Sequence, residues 1–198
     1  MGLNLEYING QTPIDEDEKV GLLIPTIVNR GELDEFEQKN IEEAIRWLIG
    51  RKFKADVVFT DQFVTKLHKQ MYGNVWGWAG QFRKTDKNIG IDKWQIPLAL
   101  RTLNDDGKFW IENKVFSPDE IAIRYKHRIV SIHCFPNGNG RHSRLMADVI
   151  IEKIFGKAVF TWGSDNLVSE GGPRKEYLKA IYAADRGDYE PLVSFARS

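Results

Sequence analysis

The sequence predicts an all-α fold carrying one small β-hairpin. Three observations predict it. Apolar residues recur at three- and four-residue spacing through several long segments, those segments begin and end on helix-capping residues, and strand-like alternation is nearly absent. Residues 1–30 form an irregular arm whose acidic cluster, Asp15-Glu16-Asp17-Glu18, reads as a solvated stretch. From Glu32 to Leu48, the residues Leu33, Phe36, Ile41, Ala44, Ile45 and Leu48 share one helical face, and Gly50 closes that helix. A second helix starts after Thr60 and carries Phe63, Leu67 and Met71, followed by the aromatic run around Trp76 and Trp78, read as core. The polar, turn-rich stretch from Gln81 to Ile91 predicts the hairpin. Pro97 opens a third helix running toward Trp110. Ser117-Pro118-Asp119-Glu120 is a capping box, and Ile121, Tyr125, Ile129 and Ile132 stripe the helix behind it. After a loop at 133–140 comes a helix with Leu145, Met146, Val149, Ile150 and Ile154 inside and Gly156 as its stop, then a last helical region around Tyr177, Leu178 and Ile181. The expected division is an N-terminal arm and helix over residues 1–54, packed on a main domain over 55–198.

Composition narrows the functional classes. The 198 residues are 42% hydrophobic and 28% charged, enough apolar material for a core. Lysine plus arginine and aspartate plus glutamate both number 28, so net charge is zero, which argues against a protein that holds nucleic acid by bulk electrostatics. Cys134 is the one cysteine, so the chain has no internal disulfide, and a cytoplasmic setting is expected. The start lacks the basic and apolar regions of a signal peptide, and Glu6 stands where N-myristoylation wants Ser or Thr. No apolar run reaches the length of a membrane span, so no membrane partner is expected.

Chemistry concentrates in residues 133–144, HCFPNGNGRHSR. Glycines 138 and 140 run straight into a helix, which presents backbone N–H groups at the positive end of the helix dipole, an arrangement suited to phosphate. Arg141 and Arg144 lie one turn apart, and both can reach an anion held there. His133 stands close enough to take a proton from a nucleophile attacking that phosphate. A base, an anion nest and two arginines suggest phosphoryl or nucleotidyl transfer. The same residues also describe an ordinary turn between helices with solvated arginines. Cys134 reads as a small buried residue rather than half of a Cys–His dyad, because adjacent side chains in extended backbone point apart. His127, His133 and His142 lack the companions of a zinc site, so His127 is expected to be an ordinary helix residue and His142 to lie at the surface or the rim.

The segment HCFPNGNGRHSR resembles the signature of Fic-domain proteins, His-x-Phe-x-(Asp/Glu)-Gly-Asn-Gly-Arg-x-x-Arg, at all but one defined position. Leu67-His68-Lys69 with Val75 to Arg83 is similar to the stretch leading into that family's flap, and Tyr177 to Ala180 with Ala184 to Asp188 is similar to its C-terminal helices. The likeness spans roughly residues 55–195. Gly31-Glu32-Leu33 resembles the short bacterial group called mobile mystery protein B.

The resemblance implies a protein adenylyltransferase that moves AMP from ATP to a Ser, Thr or Tyr hydroxyl of a target protein. ATP phosphates would lie on the amides of Gly138, Asn139 and Gly140, with Arg141 and Arg144 neutralising the β- and γ-phosphates and the Asn139 side chain orienting the α-phosphate. His133 would be the general base, and Phe135 would anchor the loop. Tyr177 would stack on adenine or pack in the core. Flap residues Lys84, Thr85, Asn88, Ile89 and Gly90 would dock the target by strand addition. Mg²⁺ or Mn²⁺ is the implied cofactor. Asn137 departs from the family's acidic metal ligand, and a hard cation prefers a carboxylate. That departure favours weak metal binding, and with it a second reading, a nucleotide-binding regulatory module with little turnover, or transfer of another nucleotide. Gly140 argues against the kinase-like variant of the family, and removal of AMP would need an inhibitory glutamate.

Many members are held off by a Ser/Thr-x-x-x-Glu-Gly/Asn helix. The nearest match is Thr26 to Gly31, where Arg30 replaces the glutamate; Glu32 is the nearest stand-in. An antitoxin-like partner protein is the expected alternative inhibitor, and a homodimer is compatible with the sequence.

Overall fold

A computed structural model describes residues 13–163 and 172–198; the first twelve residues of the expected arm lie outside that range. Helices are set by their caps. Asn29 accepts from the Glu32 N–H at 3.0 Å while the Glu32 carboxylate accepts from the Val28 N–H at 2.9 Å, so the long N-terminal helix starts at Arg30, two residues before the periodicity suggests. Four-residue α1 (Glu16–Lys19) precedes it. The long helix, α2 (Arg30–Leu48), closes where Gly50 takes φ +72°. After the short α3 (Ala55–Val58), Thr60 caps α4 (Asp61–Tyr72) by accepting from Phe63 N–H. A 3₁₀ turn at Lys93–Gln95 leads into α5 (Ile96–Glu112). Ser117 caps α6 (Pro118–Ile132) as expected. Then come α7 (Asn139–Val149), running on as a π turn over Ile150–Ile154, α8 (Gly172–Asp185) and α9 (Glu190–Arg197).

The central helix is α6, which buries Ile121, Ala122, Ile123, Tyr125, Ile129 and Ile132 together with Lys126 and His127. It packs between α5 and α7, with α9 closing one end; α2 lies on α4 at the other flank, and α8 packs on α9. His127 of α6 is tied to the last two helices: its Nε2 lies 2.8 Å from the Asp185 carboxylate, and its Nδ1 lies 3.4 Å from the Tyr189 hydroxyl. The Asp148 carboxylate of α7 accepts from Phe160 N–H and Trp162 Nε1–H, which lie beyond the π turn; burial pushes its pKa up to about 7. No helix among the described residues is long and apolar enough to cross a membrane.

The expected hairpin is not a strand pair. An isolated bridge joins Leu22 and Trp76, and no strand pair forms over residues 81–92. Residues 81–92 instead fold around a buried guanidinium. Arg83 donates through Nη1 to Thr85 O (2.9 Å) and to the Asp86 carboxylate (3.3 Å), and through Nη2 to Ile91 O. Carbonyls that would pair across a hairpin thus converge on one side chain. The acidic cluster is likewise not simply solvated. Lys87, its side chain 2% exposed, pairs with Asp15 (2.8 Å) and Glu18 (2.6 Å), and the Thr85 hydroxyl donates to Asp15. The first acidic turn therefore straps this loop down.

Gly107 of α5 lies flat against the Phe59 ring, and a Cβ there would come within 2.5 Å of two ring atoms. Helix propensity alone would make Gly107→Ala stabilising by about 1 kcal/mol. We expect the opposite sign, a loss of about 1–3 kcal/mol from overpacking, read from urea denaturation of both proteins.

Candidate active site

At the C-terminal end of α6 the chain turns through His133, a non-glycine residue in the left-handed region at φ 58°, ψ 61°. Three contacts hold it. Arg83 Nε donates to His133 O at 2.7 Å, Arg83 N–H donates to Cys134 O at 2.9 Å, and Gly90 (φ +104°) approaches so closely that a Cβ would lie 2.6 Å from the His133 Cβ. Burial, then the nearby charges of Arg83 and Lys87, push the His133 imidazole down to about 4, so it is neutral at pH 7. A neutral imidazole is the form that accepts a proton.

The loop behind it is built from inside. Phe135 is fully buried and stacks on His68 with ring centroids 3.8 Å apart. His68 Nδ1 accepts from Gly80 N–H at 3.0 Å, which leaves the proton on Nε2 to donate to Asn137 O at 3.0 Å. Gly138 takes φ +78° directly over Tyr72, where a Cβ would meet the phenol ring at 2.5 Å. The next turn begins α7, whose first N–H groups open into a cavity of about 530 Å³. His133 and residues 137–141 line one side of this cavity, together with Arg144. From α8 come Arg174, Tyr177 and Asp185, and from the first turn of α2 comes Arg30.

The structure brings His133, Gly138, Asn139, Gly140, Arg141, Arg144, Tyr177 and Asn137 to this one cavity, together with Ile89 and Gly90 of the flap. Several side chains have partners within the protein. The Asn139 side chain is engaged with the loop itself, accepting from Phe135 N–H and donating to Phe135 O. Arg141 is held by Glu37 of α2 at 2.6 Å, and Glu37 also accepts from Trp76 Nε1 at 2.7 Å. Burial works against the Arg141 charge, but Glu37 more than offsets it and holds the guanidinium firmly protonated. His142 is buried, not at the surface or the rim: it bonds Val64 O at 3.0 Å, and burial pushes it down to about 4. Glu32 is the capping residue described above, so it does not stand in for an inhibitory glutamate. Lys84, Asn88 and Ile89 are exposed in the flap, whereas the Thr85 hydroxyl is already bound to Asp15.

Tyr177 lies between two cations. Lys126, fully buried in α6, has its Nζ 4.7 Å from the ring centroid, and Arg144 lies on the same ring at 5.8 Å. Burial raises the phenol pKa, but Lys126 and Arg144 outweigh it and leave it below its usual value. Cys134 is buried and its thiol is pushed up to about 12, chiefly by burial, which suits an inert packing residue.

Among the described residues, those lining the cavity do not form a divalent-cation site. The Asn137 Oδ1, the atom standing where a metal ligand is expected, accepts from Gly138 N–H at 2.7 Å. The one carboxylate lining the cavity among the described residues, Asp185, is engaged with His127, and those residues contain no metal-holding cluster of His, Cys, Asp and Glu. Periodicity places Arg30, Glu37 and Arg174 on helix faces without revealing the cavity, because their partners lie far away in sequence.

A family model described as the Fic/DOC family matches residues 58–151. The chain is 23% identical over 159 residues to a protein from Aedes aegypti named protein adenylyltransferase Fic, covering 78% of this chain and 30% of that one. It spans about a third of the length of such curated relatives. Its fold is similar to the crystal structure of BepC, a VirB-translocated Bartonella effector protein from Bartonella tribocorum with bound AMPPNP. There the TM-score is 0.67 at 16% identity, covering 92% of this chain and 97% of that one. It is also similar to Fic-1 from C. elegans, with TM-score 0.63 and 21% identity, covering 90% of this chain and 51% of that one.

In an NMR titration the His133 ring should change charge near pH 4, and a midpoint at 6.5 or above would contradict the burial argument. His133 and His142 together should cost stability as pH falls from about 6.5 to about 4, where the unfolded chain takes up protons the folded one refuses. Glu37→Ala strips a buried partner from Arg141 and Trp76, and should lower the unfolding free energy by about 3–5 kcal/mol in denaturant titrations.

Proposed function

With residues 58–151 forming a Fic/DOC domain, we propose that the chain transfers AMP from ATP to a hydroxyl of a target protein. The observation that carries this reading is the single cavity in which a neutral His133, the first amides of α7 and an arginine cluster meet. The triphosphate lies along the start of α7, its charge balanced by Arg144, Arg174 and the partly compensated Arg141. His133 accepts the proton of a Ser, Thr or Tyr hydroxyl. That oxygen forms a bond to the α-phosphorus, the bond from the α-phosphorus to the bridging oxygen breaks, and pyrophosphate leaves with the electron pair. At a pKa of about 4 His133 is a weak base while the cavity is empty of anions. A triphosphate beside it opposes the pull of Arg83 and Lys87 and raises its basicity when it is needed. The base lies against Tyr177, Leu178 and Ile181 of α8. The target approaches over Lys84, Asn88 and Ile89. Its place of action is the cytoplasm, and an antitoxin-like protein supplies inhibition.

A second reading, a nucleotide-holding module with little turnover, is favoured by Asn137, whose side chain closes on Gly138. Incubation with α-labelled ATP, with and without Mg²⁺, in lysate and alone, separates the two. Transfer to protein by the unaltered chain, reduced by about 10²–10⁴ in His133→Ala, supports the transferase. Label with Asn137→Asp alone selects the module, and nucleotide binding without label in any variant overturns AMP transfer.

A further inference from the structure

We propose that Lys87 and Thr85 of the flap form a docking point for a carboxylate of the target protein, and that the chain's own acidic turn occupies this point at rest and must lift before the target binds. The inference rests on the transfer reaction proposed above and adds which targets the flap admits and what keeps it closed. The flap meets the N-terminal arm at two side chains. Lys87 Nζ lies 2.8 Å from the Asp15 carboxylate and 2.6 Å from that of Glu18, and it donates to Pro13 O at 3.3 Å. The Thr85 hydroxyl donates to the same Asp15 carboxylate at 2.7 Å. An ammonium and a hydroxyl converging on one carboxylate make a specific acceptor for acidic groups, and here it is filled from within the chain.

Position and charge both favour a placeholder. Lys84 on one side of the pair, and Asn88 and Ile89 on the other, are exposed, whereas the Lys87 side chain between them is 2% exposed beneath the arm. A target laid along Lys84 to Ile89 therefore meets Asp15 and Glu18 first. Asp86, the acid of that stretch, is taken up by Arg83, so lifting the arm leaves Lys84 and Lys87 to present a positive face. The arm is also lightly held. Its helix α1 is one turn long and buries none of its side chains, and Asp15 remains 41% exposed, so water competes for its carboxylate. Behind the turn, Gly77 N–H donates to Gly21 O at 2.8 Å and Leu23 N–H to Val75 O at 2.9 Å, so the turn can lift while the chain after it stays attached. A structural staple would make both ends of the ion pair equally necessary. A placeholder gives them opposite roles: the carboxylates obstruct the target, and Lys87 receives it.

The initial rate of label transfer from α-labelled ATP into the proteins of a cell lysate tests this on the whole chain, with AMPPNP affinity from isothermal titration reporting an intact cavity. Asp15→Asn combined with Glu18→Gln should raise the rate about fivefold or more. Lys87→Gln should lower it about fivefold or more. Removing Lys87 also relieves its pull on His133, which by itself favours transfer, so a loss reads docking. Glu16→Gln, whose carboxylate pairs with Lys19 at 2.6 Å, should leave the rate unchanged. AMPPNP affinity should stay within about twofold throughout. No gain in the double variant, or loss of its AMPPNP binding, marks a staple and overturns the inference while nucleotide transfer stands. A gain in Lys87→Gln overturns it equally, because the target then does not need the ammonium. If AMPPNP binds but neither the unaltered chain nor any variant labels protein, the transfer reaction itself falls and takes this with it.

Discussion

A guanidinium taken out of water needs acceptors for its donors, and in this fold Arg83 finds four, three of them backbone carbonyls beside the candidate site. Its acceptors are the carbonyls of Thr85, Ile91 and His133 and the carboxylate of Asp86. Those bonds decide that residues 81–92 curl inward instead of pairing as strands. They hold His133 in its left-handed turn at the end of α6, bring Gly90 against it, and contribute to the low basicity of its imidazole. His133, the loop above it and the exit from the central helix share one anchor.

A second constraint comes from α2, which meets the candidate site at two levels. Near its start Arg30 lines the cavity, and two turns further on Glu37 fixes Arg141 and Trp76. One rigid helix therefore supplies a cation to the site and tempers another.

Local signals in the sequence were dependable and distant ones were not. Ser117, Thr60 and Gly50 mark helix ends because capping is settled within four residues, and the candidate loop at 133–144 is legible because its glycines, arginines and histidine adjoin. The hairpin was misread because a polar, turn-rich segment looks the same whether its carbonyls pair across strands or gather on Arg83. Asp15 and Glu18 looked solvated because Lys87, their partner, lies about seventy residues on. His142 looked peripheral because nothing beside it in sequence announces Val64 O, 78 residues away. The pair joining Glu37 to Arg141 spans 104 residues, with no periodic pattern connecting them.

The attachment of Arg141 to Glu37 bears on what counts as a transferable unit. A segment bounded at residues 58 and 151 contains the loop, His133 and both loop arginines, yet transplanted alone it would carry an arginine whose counter-charge stayed behind, and an indole whose acceptor had gone. Inheritance and engineering of this site should therefore treat α2 and the loop as linked cargo. Recombination that separates them creates a buried charge without an owner, and selection would hold the two segments together across the intervening chain.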